Sequence, residues 1–125
     1  MSEKTKQKRI LLIDDDANVL AVISDLLKST GYAVYEASDA QEAARVVKEE
    51  FIDLALIDLR MPGTDGIDLM LSLKKMNPHL RVIIYSGYPS MNTAIDALKK
   101  GADDYIPKPF KLGELSTKIK EFLGK

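Results

Sequence analysis

Cysteine is absent from the 125 residues, which excludes disulfides, thiolate metal sites and a cysteine nucleophile. Histidine is nearly absent. The single one, His79, sits in the turn-like run Asn77-Pro78-His79, where a solvated loop side chain is its natural reading, so neither a histidine metal centre nor a catalytic triad has a basis. An excess of one charge is also missing. The formal net charge is -1, which gives no reason to expect direct nucleic-acid binding. No apolar stretch is long enough to cross a bilayer. The start, Met1 to Lys8, is polar and basic and lacks the apolar segment of a secretory signal. The expectation is a flexible basic tail over residues 1–8, a domain over 9–125, no membrane partner and a cytoplasmic location. Linkers, repeats and low-complexity segments are absent as well.

Hydrophobic residues make up 46% and charged residues 30%, the balance of a soluble globular domain large enough to bury a core. One stretch organises the chain, Leu54-Ala-Leu-Ile-Asp58-Leu-Arg-Met-Pro62-Gly63. Its apolar residues do not alternate with polar ones, which suits a strand buried on both faces of a parallel sheet. A carboxylate then ends the run and a Met-Pro-Gly turn follows. In open α/β sheets ligands bind at the carboxyl ends of strands, which singles out Asp58. A lone aspartate there would read more simply as a turn residue.

Similar runs recur. Arg9 to Ile13 leads into Asp14-Asp15-Asp16, and Ala33 to Ala37 is a short strand. Arg81 to Ser86 ends in a hydroxyl and Gly87, and Asp104 to Pro107 precedes Lys108. Between them lie helical patterns. The first carries Leu20, Ile23 and Leu27 and stops near Gly31. The second opens with Asp39 and Glu42 at capping-box spacing. The third, Gly66 to Met76, has Met70, Leu73 and Met76 as one expected stripe. The fourth, capped by Ser90, bears Met91, Ala94, Ile95 and Leu98, with Gly101 as its stop. Leu112, Leu115, Ile119 and Phe122 line the last. Strict alternation of strand and helix predicts an α/β fold. The expected form is a flavodoxin-like, doubly wound, five-stranded parallel sheet of order 2-1-3-4-5 with five helices. Pro107 agrees, because proline favours an edge strand and the fifth strand is an edge in this order.

In that topology strands 1 and 3 are neighbours, so Asp14, Asp15 and Asp58 converge. Three carboxylates that close repel by several kcal/mol per pair at roughly intermediate dielectric. Either their pKa values rise or a cation joins them. Oxygen ligands alone suit a hard ion such as Mg²⁺, and a purely structural acidic cluster is the alternative. Ser86 and Lys108 end the two strands that open on the same crevice. Alone they read as a turn hydroxyl and a solvated cation. With the aspartates they complete a nucleophile, a metal site, a hydroxyl donor and a fixed positive charge, the parts that phosphoryl transfer uses.

Asp14-Asp15, Asp58 with Met61-Pro62-Gly63, Ser86-Gly87 and Lys108-Pro109-Phe110 stand in register at strand ends. In this the chain, from Arg9 to Leu123, resembles the receiver domains of two-component response regulators. The resemblance implies a phosphorylation-controlled switch rather than a conventional enzyme. Asp58 would be the phosphoacceptor. Asp14, Asp15, Asp58 and the backbone carbonyl of Arg60 would hold Mg²⁺. Ser86, Gly87 and Lys108 would bind the phosphoryl group, and Ser86 and Tyr105 would form the switch. Arg60 and Tyr88 stand at positions that tune dephosphorylation in the family. The Lys108–Pro109 bond is expected to be cis by analogy. The implied partners are a sensor histidine kinase or phosphotransfer protein, and an effector domain or second copy at the face of helix 4, strand 5 and helix 5. Ser86 stands where threonine is frequent, and Pro107 before the lysine is less usual.

Two rivals use the same kind of sheet. A haloacid-dehalogenase-like phosphatase would take Asp14 as nucleophile with Asp16 beside it, and Asp103-Asp104 as a distal acidic pair. The chain has no room for a substrate-covering cap, however. A flavodoxin-like cofactor carrier would need donors after strand 1, where three carboxylates stand instead.

Overall fold

Alternate residues of each central strand belong to different hydrophobic clusters. Leu11, Ile13, Ala55, Ile57, Val82 and Ile84 join one, and Ile10, Leu12, Leu54, Leu56, Ile83 and Tyr85 join the other. Successive side chains on a strand point to opposite faces, so the sheet is covered on both sides. That is why its sequence runs are unbroken rather than alternating. The computed structural model describes residues 7–86, 91–108 and 111–124, with 91 and 92 described by secondary structure only.

The sheet strands are β1 (Arg9–Ile13), β2 (Ala33–Ala37), β3 (Leu54–Asp58), β4 (Arg81–Ser86) and β5 (Asp104–Pro107). All pair in parallel, in the order β2-β1-β3-β4-β5. The helices are α1 (Ala17–Ser29), α2 (Ala40–Glu49), α3 (Gly66–Met76), α4 (Met91–Lys99) and α5 (Leu112–Leu123). α1 and α5 cover one face through Leu20, Ile23, Leu27, Leu115 and Ile119. α2, α3 and α4 cover the other through Ala43, Val47, Met70, Leu73 and Ala97. The flavodoxin-like architecture and strand order are therefore those expected, with Pro107 at the end of an edge strand opposite Ser86.

Local signals hold in most places and shift in some. Asp39 caps α2 by accepting from the Glu42 amide at 2.8 Å. The return bond of the capping box goes one residue further back, from the Ser38 amide to the Glu42 carboxylate at 2.7 Å. Met76 does not continue the Met70–Leu73 stripe and is 48% exposed. Six residues on from Met70 an α-helix has turned well off the buried face, and Leu69 completes that face instead. Ile95, Leu98 and Leu112 also point outward, at 43%, 45% and 39% exposure. α4 is seated by the small Ala97 instead. The Met-Pro-Gly turn sits in a two-residue antiparallel ribbon, Arg60–Met61 against Thr64–Asp65, with Gly63 at φ 74°. Ser90, the expected cap of α4, lies outside the described residues.

One buried group on α1 carries no partner. Ser24 is 2% exposed, and its hydroxyl makes no hydrogen bond among the described residues. A buried, unsatisfied hydroxyl is destabilising, and alanine is the better helix former. Ser24→Ala should therefore raise unfolding stability by about 1 kcal/mol, read as a higher urea midpoint at unchanged slope.

Candidate functional site

The carboxyl ends of β1 and β3 deliver the acids. The Asp14 amide extends the β1 ladder by donating to the Ala37 carbonyl at 3.1 Å. Its carboxylate then accepts the Asp16 amide at 2.9 Å, a local turn that aspartate favours. Asp16 caps α1, accepting from the Asn18 and Val19 amides at 2.9 and 3.3 Å. Asp58, last in β3, accepts the Arg60 amide at 3.0 Å. Asp14 and Asp58 are 0% and 4% exposed, and Asp15 is exposed. One oxygen from each of the three lies within 4.8 Å of the others. Gly66 keeps the following loop close. A Cβ there would come within 2.7 Å of the Leu59 side chain and 3.0 Å of its Cα, so α3 starts against the backbone next to Asp58.

Lys108 supplies the opposing charge. Its amide donates to the Ser86 carbonyl at 2.7 Å, which fixes the end of β5 against β4. Its Nζ lies 3.7 Å from Asp14 Oδ2 and 3.7 Å from Asp58 Oδ2. The same ammonium stands 4.8 Å from the centre of the Tyr85 ring, and the Tyr85 hydroxyl donates to Asp14 Oδ2 at 2.6 Å. Burial pushes the Asp58 carboxyl above its ordinary range. The Arg60 amide and the Lys108 charge pull it down, and the Asp14 charge pushes it up. Burial and the neighbouring carboxylates push the Tyr85 phenol far up, so it remains a donor.

Tyr85 is the residue of the site that the sequence reading passes over. The available signal is a hydroxyl-bearing aromatic inside an otherwise apolar buried strand, which must find a partner there.

Strand alternation sorts the rest. Tyr85 stands opposite Asp58 in the register, and its ring belongs to the α1/α5 face. Ser86, 1% exposed, has the alternate orientation. It borders an open cleft of about 870 Å³ shared with Arg60, Gly66, Thr93 and Asp96. Tyr105, opposite Ile84 in the register, packs its ring against the α2/α3/α4 cluster. Its buried hydroxyl has no hydrogen-bond partner among the described residues. Asp14, Asp15, Asp58 and Lys108 are thus brought together. Ser86 ends the adjacent strand, and Tyr105 lies further from the acids on the edge strand. The Arg60 side chain is exposed. Gly87, Tyr88, Pro109 and Phe110, with the Lys108–Pro109 bond, lie outside the described residues.

The second and distal acids named for a phosphatase are otherwise engaged. Asp16 is the α1 cap. Asp103 lies at the amino end of the sheet, where it accepts the Val82 amide at 2.8 Å and pairs with Lys74 at 3.3 Å. Asp104 pairs with Lys118 at 2.9 Å. The donor set left at the site is carboxylate oxygen with adjacent backbone, which fits a hard divalent cation.

Comparison with known proteins agrees with this geometry. A family model described as the response regulator receiver domain matches residues 10–120. The transcriptional regulatory protein ZraR of Klebsiella oxytoca is 38% identical over 119 residues. The match covers 95% of this chain but 27% of ZraR, so the chain spans about a quarter of that relative. A CheY-like receiver domain protein from Methanospirillum hungatei superposes with a TM-score of 0.90 at 37% identity, covering 95% of each chain. The beryllofluoride-activated NtrC4 receiver domain dimer gives 0.88 at 33% identity, covering 94% of this chain and 98% of that one.

The raised Asp58 pKa has a sign that can be tested. In the unfolded chain Asp58 ionises near its ordinary 3.8, and in the fold only at higher pH. Its ionisation therefore disfavours the fold above that range and is without effect well below it. Asp58→Asn should stabilise the metal-free protein at neutral pH, by on the order of 1 kcal/mol. The gain should shrink as pH falls below about 4. Urea unfolding of both proteins across that range measures it. A gain that grows on acidification would contradict the assignment.

Proposed function

Because the chain belongs to the response regulator receiver family, we propose that Asp58 is the phosphoacceptor of this phosphorylation-controlled switch. The supporting observation is the buried Asp58 carboxylate set between two further acids and the Lys108 ammonium. Asp14, Asp15, Asp58 and the backbone carbonyl of Arg60 would hold Mg²⁺, which when bound supplies the charge that lets a dianionic group approach. An Asp58 oxygen attacks phosphorus in line, the new O–P bond forms, and the donor leaves with its bonding pair. Lys108 pairs with the transferred group, and Ser86 and Gly87 bond its oxygens. The site itself promotes both arrival and hydrolysis, with Arg60 and Tyr88 tuning the second. The donor is a sensor histidine kinase or phosphotransfer protein, and the location is cytoplasmic. No helix among the described residues is long and apolar enough to cross a membrane.

The signal leaves through Ser86. A phosphoryl group adds roughly -1.5 to -2 charge and three acceptor oxygens, which draw the hydroxyl inward. Tyr105, whose buried hydroxyl has no hydrogen-bond partner among the described residues, fills the space behind it. The altered face is α4, β5 and α5. Ile95, Leu98 and Leu112 expose apolar surface there for an effector domain or a second copy. The phosphatase alternative loses its support, since its second and distal acids are a helix cap and half-buried ion pairs.

Two experiments test this reading. Acetyl phosphate with Mg²⁺ should label the protein, chelation of the metal should stop labelling, and Asp58→Asn should abolish it. Labelling that survives in Asp58→Asn but not in Asp14→Asn would return the phosphatase reading. For the switch, beryllium fluoride with Mg²⁺ should shift amide resonances from Ser86 through α4 to Tyr105, and Ser86→Ala should weaken the distant shifts. Shifts confined to the neighbours of Asp14, Asp15 and Asp58 would rule this route out.

A further inference from the structure

β1 and β4 are not neighbours, because β3 lies between them. A side chain on β4 must cross two strand spacings, roughly 10 Å, to touch a group that follows β1. Tyr85 does so, with its hydroxyl 2.6 Å from Asp14 Oδ2. Serine or threonine would fall short and phenylalanine would bring no donor. The carboxylate it meets is already held on its other side, where Oδ1 accepts the Asp16 amide at 2.9 Å. Each oxygen of Asp14 thus has a fixed donor, and the carboxylate plane is set before any ion arrives.

The same residue also touches the cation of the site. The Lys108 ammonium lies 4.8 Å from the Tyr85 ring centre, a distance at which the ring face attracts it. It stands 3.7 Å from each of two acid oxygens, one on Asp14 and one on Asp58. Both separations exceed a close charged hydrogen bond, so the lysine is not committed to either acid. The Tyr85 hydroxyl occupies Asp14 Oδ2, the oxygen on which Lys108 would otherwise close.

We propose that Tyr85 is a positioning residue for cation and phosphoryl binding: its hydroxyl orients Asp14, and its ring keeps Lys108 poised between Asp14 and Asp58. The inference rests on the receiver reading. Groups that hydrogen-bond a ligating carboxylate set its orientation, and their loss typically lowers metal affinity by about 10- to 100-fold. The hydroxyl and the ring contribute separately. Tyr85→Phe removes the first and keeps the second, and Tyr85→Leu removes both.

The experiment is a Mg²⁺ titration of the whole chain without any phosphodonor, followed by amide resonances, with urea unfolding of each metal-free protein alongside. Tyr85→Phe should bind Mg²⁺ about tenfold more weakly than the parent protein. At saturating Mg²⁺ it should approach the parent's maximal rate of phosphorylation by acetyl phosphate, whereas Tyr85→Leu should fall below it. A residue that merely supports the core would lower the urea midpoint in both variants and leave the Mg²⁺ dissociation constant unchanged. That outcome overturns the inference. In the unaltered protein the Tyr85 ring resonances should shift on the same Mg²⁺ saturation curve as the Asp14 amide. Ring resonances that stay still while Asp14 moves overturn it without recourse to a variant. Failure of the unaltered protein to bind Mg²⁺ at all overturns the receiver reading together with the inference. Binding that is equal in Tyr85→Phe and the parent overturns the inference alone.

Discussion

Like charge held close together is the constraint on which the rest of this molecule turns. Three carboxylates bring oxygens within 4.8 Å of one another, and at that separation a pair of unit charges repels by roughly 3 kcal/mol at an effective dielectric of about 20. Two of the three are almost fully buried, so water screens them poorly. The fold tolerates this by surrounding the acids with donors: the Asp16 and Arg60 amides, the Tyr85 hydroxyl and the Lys108 ammonium. These groups offset the repulsion, yet burial first, and the Asp14 charge after it, keep Asp58 harder to ionise than an ordinary aspartate. A donor set of this kind fits a hard divalent cation.

Strand alternation divides the labour at this end of the sheet. Tyr85 lies with the α1/α5 face and reaches the acids and the lysine. Ser86 has the opposite orientation, and the Tyr105 ring packs on the α2/α3/α4 side. The two classes meet at one peptide, since Tyr85 and Ser86 are consecutive. The Tyr85 carbonyl accepts the Leu59 amide just after Asp58, and the Ser86 carbonyl accepts the Lys108 amide. In the proposed switch, movement of Ser86 toward a phosphoryl group on Asp58 would therefore be tied to both neighbouring strand ends. Coupling of this kind needs only a modest difference in contact energy between two arrangements of the β4 end.

The surface on the far side of that coupling is unlike an ordinary charged helix face. α4 is seated by Ala97 and leaves Ile95 and Leu98 exposed, and α5 begins with Leu112 exposed. Large apolar residues facing outward offer area to a partner. Surface ion pairs, such as Lys100 with Asp96 at 3.5 Å, keep the same face soluble but add little stability.

Sequence alone determined the strands, their order and the acids at their ends. An unbroken apolar run has one comfortable place, a sheet covered on both faces, and a charge can close such a run only at its end. Pro107 was legible for the same kind of reason, because a missing donor confines it to an edge. Tertiary structure decided what lies across the sheet. The period that marks a helix says which residues share a face but not which face is covered. So Met76, Ile95, Leu98 and Leu112 looked like core residues and proved to be exposed. Tyr85 is the sharper case. Its partner Asp14 is 71 positions away in the chain and two strands away in the sheet. No local spacing encodes that contact, because it exists only once the crossover connections have placed β3 between β1 and β4 and a phenol long enough to span it.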